Sequence, residues 1–135
     1  MNTTIASTSH CTPQASDTRS LGAFGERVAA EWLESRGCRI LDRNWRTRYG
    51  ELDIVAVDPQ GVIVFVEVKT RRSTRYGLPQ ESVTAAKRTH LRRAAVQWLI
   101  DPDHRVPHRG TRFDVIAITL DAADSASINC IEGAF

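Results

Sequence analysis

Apolar residues recur at the spacing of one helical face in two segments of the chain. The first of these stripes consists of Leu21, Phe24, Val28, Ala29, Trp32 and Leu33. The second consists of Leu91, Ala94, Ala95, Trp98 and Leu99. The pattern therefore predicts two helices. The first ends before Gly37, and the second runs from about Thr84 to Ile100.

Runs rich in valine and isoleucine predict strands elsewhere. The predicted strands comprise residues 38–41, 52–57, 62–68, 113–120 and 127–131, the last as an edge strand. Apolar residues on both faces of the central pair predict helices on both sides of the sheet, and hence an α/β sandwich.

The segment Asp58-Pro59-Gln60-Gly61 has the residues of a type I turn that ends in a left-handed glycine. Such a turn sets Asp58 opposite Val62 and therefore Asp53 opposite Glu67. A two-residue turn is the alternative, and it would place these two carboxylates on opposite faces of the hairpin. With the bulged turn, Asp53, Glu67 and Lys69 project from one face at one end.

These charged residues interrupt strands that are otherwise apolar, which points to chemistry. Two facing carboxylates repel unless a cation lies between them, and Mg²⁺ prefers such oxygen ligands. Asp53, Glu67 and the backbone carbonyl of Val68 are therefore predicted to bind Mg²⁺, with Mn²⁺ as a substitute. Lys69 would hold an attacking water and offset phosphate charge. The alternative is a salt-bridge ladder without chemistry.

Positive charge is concentrated in the middle of the chain, although the net charge is only +2. Residues 36–93 contain 13 Lys+Arg and 6 Asp+Glu, whereas the remainder contains 5 and 10. This segregation predicts a polyanionic partner such as nucleic acid, against the alternative of an arginine-rich solvated surface. The candidate phosphate contacts are Arg46, Arg48, Arg71, Arg72, Lys87 and Arg88.

Residues 1–20 are rich in serine and threonine and lack the basic start and apolar stretch of a secretory signal. They are predicted to form a flexible tail before a single domain, residues 21–135. No apolar run reaches the length of a membrane span. The three cysteines lack C-x-x-C spacing. A cytoplasmic protein without a membrane partner is therefore expected.

Three segments resemble the bacterial YraN family of predicted endonucleases, namely Gly50–Asp53, Val64–Arg71 and Arg112–Val115. Gly22–Glu26 is similar to the opening helix of that family. The likeness covers residues 21–135 in order. One departure is at the end of the chain, where a glycine precedes the final Ala-Phe and the family commonly has asparagine.

That family resembles archaeal Holliday-junction resolvases and type II restriction enzymes, which share a PD-(D/E)xK nuclease core. The resemblance implies a restriction-endonuclease-like three-layer sandwich, with a central mixed β-sheet flanked by helices. It also implies Asp53, Glu67 and Lys69 as the catalytic set. Glu26 would be a further acidic ligand, the alternative being an exposed helix residue. Leu52 stands where the motif has proline.

Glu51 and Asp114 are expected to support this site. The predicted function is a metal-dependent endonuclease that hydrolyses phosphodiester bonds of DNA, with branched or structured DNA as a candidate substrate. One alternative is a non-catalytic nucleic-acid-binding module on the same fold. Another is a protein-interaction module whose basic face meets an acidic partner. Assembly into a homodimer is left open.

Overall fold

Two helices and six strands make up the part of the chain that the computed structural model describes, residues 2–4, 18–72, 83–123 and 125–135. The elements are β1 (Asn2–Thr4), α1 (Thr18–Ser35), β2 (Arg39–Thr47), β3 (Gly50–Val57), β4 (Val62–Arg71), α2 (Ala85–Ile100), β5 (Gly110–Leu120) and β6 (Ala126–Ile131). Most of the predicted tail lies outside the described residues. Within it, the structure describes β1 and the first turn of α1.

The strands form one mixed sheet in the order β1-β6-β5-β4-β3-β2. Only β4 and β5 run parallel among the described neighbours, and α2 connects them. A parallel pair requires such a crossover, because a short turn cannot return the chain in the same direction. The expectation that residues 127–131 form an edge strand is wrong, because β1 pairs with the outer side of β6.

Strand β2 continues well beyond the predicted residues 38–41, through the basic segment to Thr47. Its ladder with β3 contains a bulge between Ile40 and Asp42. β2 is the last strand in the described sheet order, so its outer side faces away from the other strands. Charged residues are well tolerated on such an outer strand, because their side chains stay hydrated.

The hairpin between β3 and β4 closes through the predicted turn. Gly61 adopts a left-handed φ of 86° and donates its N–H to the carbonyl of Asp58 at 3.0 Å. The N–H of Asp58 donates to the carbonyl of Val62 at 2.9 Å. The described ladder then runs to Ile54 opposite Val66. The predicted register is therefore confirmed up to that pair.

The two helices cover opposite faces of the sheet. α1 packs against a core on one face that includes Phe24, Val28, Leu33, Ile54, Val64, Ile116 and Ile118. α2 packs against a core on the other face that includes Leu52, Val55, Ile63, Phe65, Leu91, Trp98 and Val115. The protein is thus an α/β fold with three layers, and both faces of the central hairpin are buried as predicted.

The ends of α2 follow local signals in the sequence. Thr84 Oγ1 accepts the N–H of Lys87 at 3.2 Å, as an N-cap residue does. The helix ends at Ile100, before Asp101 and Pro102. Lys87 is therefore held in the first turn. Among the described residues, no helix has the length and apolar character needed to cross a membrane.

Candidate metal centre

The sheet opens between β3 and β4 at Asp53. Followed from the hairpin turn, the described ladder stops at the pair Ile54–Val66, one residue before it would reach Asp53. Beyond it, the backbone N–H of Val68 donates to Oδ2 of Asp53 at 2.8 Å. A side-chain carboxylate therefore takes the position that a backbone carbonyl has in a regular ladder. The Asp53 side chain consequently lies in the gap between the two strands.

β3 is also irregular on the side that faces β2. Asn44 lies opposite Asp53 in the β2–β3 register and has a left-handed φ of 52°. Leu52 and Val55 pack in the same core, although residues three apart point to opposite faces of a regular strand. β3 therefore departs from regular alternation around Asp53.

The carboxyl groups of Asp53 and Glu67 lie close enough to shift each other's protonation. Burial and the neighbouring Asp53 carboxylate raise the pKa of Glu67 to about 8, which favours a proton on Glu67 at neutral pH. Glu67 is only 7% exposed. Its Oε2 has no hydrogen-bond partner among the described residues.

Two lysines lie near this carboxyl pair. Lys87 Nζ of α2 is 3.9 Å from Oε2 of Glu67. Lys69 lies two residues beyond Glu67 on β4 and so extends to the same side of the strand. Both ammonium groups favour the ionised form of Glu67 and oppose the rise of its pKa. The sequence predicts only a phosphate contact for Lys87, because its approach to Glu67 depends on how α2 docks.

Two further carboxylates approach Asp53. One oxygen each of Glu26, Glu51 and Asp53 lies within 4.8 Å of the others. Burial, and then the Asp53 carboxylate, raise the pKa of Glu26. Oriented with its amide nitrogen towards the carboxylates, Asn44 donates to Glu26 Oε1 at 2.9 Å and to Glu51 Oε1 at 3.1 Å. The only sequence signal for Asn44 is the tolerance of asparagine for positive φ.

A close contact between α1 and β4 positions Glu26. A Cβ atom on Gly25 would overlap the side chain of Thr70. Glycine therefore lets the helix lie directly on the strand, one residue beyond Lys69. The next residue of the helix, Glu26, is thereby held beside Asp53.

These groups together fit a hard divalent cation. Burial is the largest cause of the raised pKa of Asp53, and the nearby Glu51 carboxylate adds to it. In a strand, the N–H and carbonyl of one residue point to the same side, so the Val68 carbonyl points towards the gap that Asp53 occupies. The buried Oε2 of Glu67 has no hydrogen-bond partner in the described part of the chain, although Lys87 Nζ lies 3.9 Å away, so it is an oxygen that a cation can satisfy. The donors are all oxygens, as Mg²⁺ requires.

The six predicted phosphate contacts lie at the same end of the sheet as these carboxylates. Arg46 and Arg48 stand where β2 turns into β3, and Arg71 and Arg72 stand where β4 ends. Lys87 and Arg88 stand in the first turn of α2. Arg46 also donates through Nε to Glu51 Oε2 at 2.8 Å and is 83% exposed. This end of the protein therefore combines half-buried and buried acidic groups with a basic rim, in which Arg46, Arg48 and Lys87 are exposed and Arg71, Arg72 and Arg88 are half-buried.

Asp114 takes part in a different network. It is buried and accepts two hydrogen bonds from Arg112, at 2.9 and 3.1 Å, and one from the N–H of Gly133 at 3.0 Å. Arg112 also donates to Asp58 Oδ2 at 3.2 Å, at the turn of the central hairpin. Through these contacts, Asp114 anchors the hairpin turn and the C-terminal segment.

Comparisons with known proteins identify the family. The structure of Pyrococcus furiosus SfsA in complex with Ca²⁺ is a weak structural likeness, at 17% identity and a TM-score of 0.33, covering 86% of this chain and 62% of that chain. A relative from Bifidobacterium longum subsp. infantis is 53% identical over 117 residues, which is 87% of this chain and 94% of the relative. Another from Trichlorobacter lovleyi is 47% identical and covers 91% of its own length. Both are UPF0102 proteins.

The family model described as "Uncharacterised protein family UPF0102" matches residues 25–118. This range includes the carboxylates around Asp53, both lysines and all of β5 except its last two residues. The resemblance to the YraN family is confirmed by this match. The chain belongs to the UPF0102 family.

Proposed function

We propose that this protein is a magnesium-dependent endonuclease that hydrolyses phosphodiester bonds of DNA in the cytoplasm, on a restriction-endonuclease-like sandwich. The observation that carries the proposal is the pair of half-buried Asp53 and buried Glu67, in which Oε2 of Glu67 has no hydrogen-bond partner among the described residues. Buried carboxyl groups destabilise a fold unless they are paired, and apolar residues would pack better there. A site retained at this cost in stability is typical of function.

Asp53, Glu67 and the Val68 carbonyl would hold the cation, and Glu26 would add a ligand from α1. A bound Mg²⁺ would polarise the scissile phosphate and lower the pKa of a water molecule. The proton on Glu67 must leave before that carboxylate can bind a cation. Lys87, at 3.9 Å, favours this loss because its ammonium group stabilises the ionised carboxylate.

Lys69 would orient the attacking water and balance the charge that develops on the phosphate. The water oxygen forms a bond to phosphorus while the bond to the 3′ oxygen breaks. The water releases one proton to solvent and the leaving 3′ oxygen takes one proton from solvent, so the products are a 5′-phosphate and a 3′-hydroxyl. Glu51 would hold Arg46 at the rim, where the guanidinium group can contact the DNA backbone.

Strand cleavage tests the proposal. Labelled branched, flap and plain duplex DNA would be incubated with Mg²⁺ or Mn²⁺ and the wild-type protein, Asp53→Asn or Lys69→Ala. Asp103→Asn is a matched control, because Asp103 is an exposed residue of the loop after α2. We expect cleavage by wild type and Asp103→Asn only. Paired nicks across a symmetric junction would indicate a homodimer.

Two outcomes would overturn the proposal. If the wild type binds DNA with a salt-dependent affinity but cuts none of these substrates, the protein is a nucleic-acid-binding module. If the protein binds no DNA, the basic rim serves an acidic protein partner instead. Cleavage that persists in Asp53→Asn would remove the carboxyl pair from the mechanism.

A further inference from the structure

A cavity lies between α2 and the turn that joins β2 to β3. Its volume is about 320 Å³, at the lower end of the range for small-ligand sites. Its lining combines one aromatic ring with cationic, apolar and amide side chains. The lining residues are Tyr49, Thr89, Arg92, Arg93, Val96 and Gln97.

Tyr49 forms the aromatic wall, and arginines surround it. The Arg48 guanidinium carbon is 4.9 Å from the centre of the Tyr49 ring, and its Nη2 donates to the Tyr49 hydroxyl at 2.7 Å. The guanidinium carbon of Arg93 is 5.8 Å from the same ring. Both arginines are exposed, so they can move from the ring onto a phosphate without leaving a buried charge unpaired.

The apolar part of the cavity is also exposed. Val96 is 52% exposed, and on the same helix Ile100 is the other exposed large apolar residue. Gln97 adds an amide that can donate and accept hydrogen bonds. This combination of groups matches a nucleotide. The aromatic ring and apolar residue can contact the face of a base, the amide can hydrogen-bond to its edge, and the arginines can bind its phosphate.

The cavity is close to the carboxylates along two elements. Tyr49 precedes Asp53 by four residues of strand, which span about 13 Å. Arg93 follows Lys87 by six residues of helix, about 9 Å along the axis.

From this arrangement we infer that the cavity binds an unpaired base of a DNA strand whose cleaved phosphate lies at the candidate metal centre. A base within a duplex is stacked between its neighbours and cannot enter, so the cavity would select single-stranded or branched DNA. The position relative to the cut rests on the proposed endonuclease function. The preference for an unpaired base does not, because binding can be measured without cleavage.

The test measures binding in EDTA, where no cleavage is expected. Fluorescence anisotropy would give the affinity for a labelled single strand and for the matching duplex. The variants are Tyr49→Ala, Tyr49→Phe and Arg93→Ala. Arg109→Ala is the matched control for lost charge, because Arg109 is exposed and lies beside Gly61 at the hairpin turn, the opposite end of the sheet.

We expect Tyr49→Ala to weaken single-strand binding about tenfold, the usual effect of losing one stacked base, and to leave duplex binding unchanged. Tyr49→Phe keeps the ring and should bind nearly as the wild type does. Arg93→Ala should weaken single-strand binding more than Arg109→Ala does. A single abasic position in the strand should weaken binding to the wild type but add little to the loss in Tyr49→Ala.

Equal losses for single strand and duplex would overturn the inference, and so would an unchanged affinity in Tyr49→Ala. Absence of single-strand binding by the wild type would overturn it as well and would favour an acidic protein as the occupant. A thermal melt of each variant separates a folding defect from a lost contact. If Tyr49→Ala does not fold, Arg93→Ala still tests the inference. If stacking is found but no DNA is ever cut, the proposed function fails while this inference stands.

Discussion

Val68 donates its backbone N–H to Oδ2 of Asp53 at 2.8 Å, where a regular ladder would have a carbonyl of β3. This one bond joins the two strands that carry the candidate ligands. It fixes Asp53 in the gap between them and leaves its carboxyl close enough to that of Glu67 for each to shift the pKa of the other. The same strand geometry turns the Val68 carbonyl towards this gap. Three predictions concern this arrangement, and a fourth concerns the contact between β2 and α2.

The stability of the metal-free protein should decrease as the pH rises from about 5 to 9. Glu67 has an ordinary pKa of 4.5 and a folded-state pKa of about 8. Between these values the folded state binds one more proton than the unfolded state, so the free energy of unfolding falls with pH. The loss should be on the order of a few kcal/mol. Urea unfolding in EDTA across this range measures it.

Glu67→Gln should make that pH dependence nearly flat, because a glutamine has no proton to lose. Glu34→Gln is the matched control, since Glu34 is exposed on α1 and should keep the wild-type slope. A slope that survives in Glu67→Gln would assign the pH dependence to other groups, such as Glu26.

Mg²⁺ or Mn²⁺ should raise the melting temperature, and by more at pH 9 than at pH 6. The cation competes with the proton on Glu67, so its apparent affinity increases as that carboxyl ionises. A cation at about 100 times its Kd would add roughly 2.7 kcal/mol to the free energy of unfolding. Differential scanning fluorimetry measures the shift. Asp53→Asn should abolish it and Asp103→Asn should keep it. Equal shifts in the two variants would place the cation elsewhere.

Gly25→Ala should destabilise the protein by about 1–3 kcal/mol and reduce the Mg²⁺-dependent shift in melting temperature. The new methyl group overlaps the side chain of Thr70, so α1 must move away and take Glu26 with it. Thermal melts with and without Mg²⁺ measure both effects.

Two variants control the Gly25 experiment. Gly22→Ala lies on the same helix with nothing within 4 Å of the added methyl group, so it should be neutral or stabilising. Gly25→Ala combined with Thr70→Gly should regain part of the stability, because the overlapping side chain is removed. If Gly25→Ala behaves like Gly22→Ala, the close contact does not position the helix.

Asp42→Ala should lower the free energy of unfolding by about 1–3 kcal/mol. Asp42 Oδ2 accepts the indole N–H of the buried Trp98 at 3.1 Å, and it lies 3.4 Å from Nε2 of His104. Without Asp42, the Trp98 indole N–H loses its hydrogen-bond partner. Urea unfolding with Asp103→Ala as the control measures the loss. A loss no larger than that of Asp103→Ala would show that solvent replaces the bond.

Several features follow from short-range signals and could be predicted from the sequence. The turn residues Asp58 and Gly61 set the hairpin register through their own backbone preferences, and Asp53 and Glu67 are neighbours as a consequence. Thr84 and Pro102 mark the ends of α2 in the same way. In each case the preference acts over a few residues, so the local sequence is sufficient.

Other features depend on contacts between distant segments, and no local pattern specifies them. Lys87 reaches Glu67 because α2 docks on one face of the sheet, and Glu26 reaches Asp53 because Gly25 lets α1 lie on β4. The extension of β2 and the pairing of β1 with β6 likewise depend on which strands are available as partners. The sequence by itself could therefore specify the carboxylate pair. The positions of Lys87 and Glu26 beside that pair depend instead on helix packing. The energy of that packing depends on the shape of the whole buried surface.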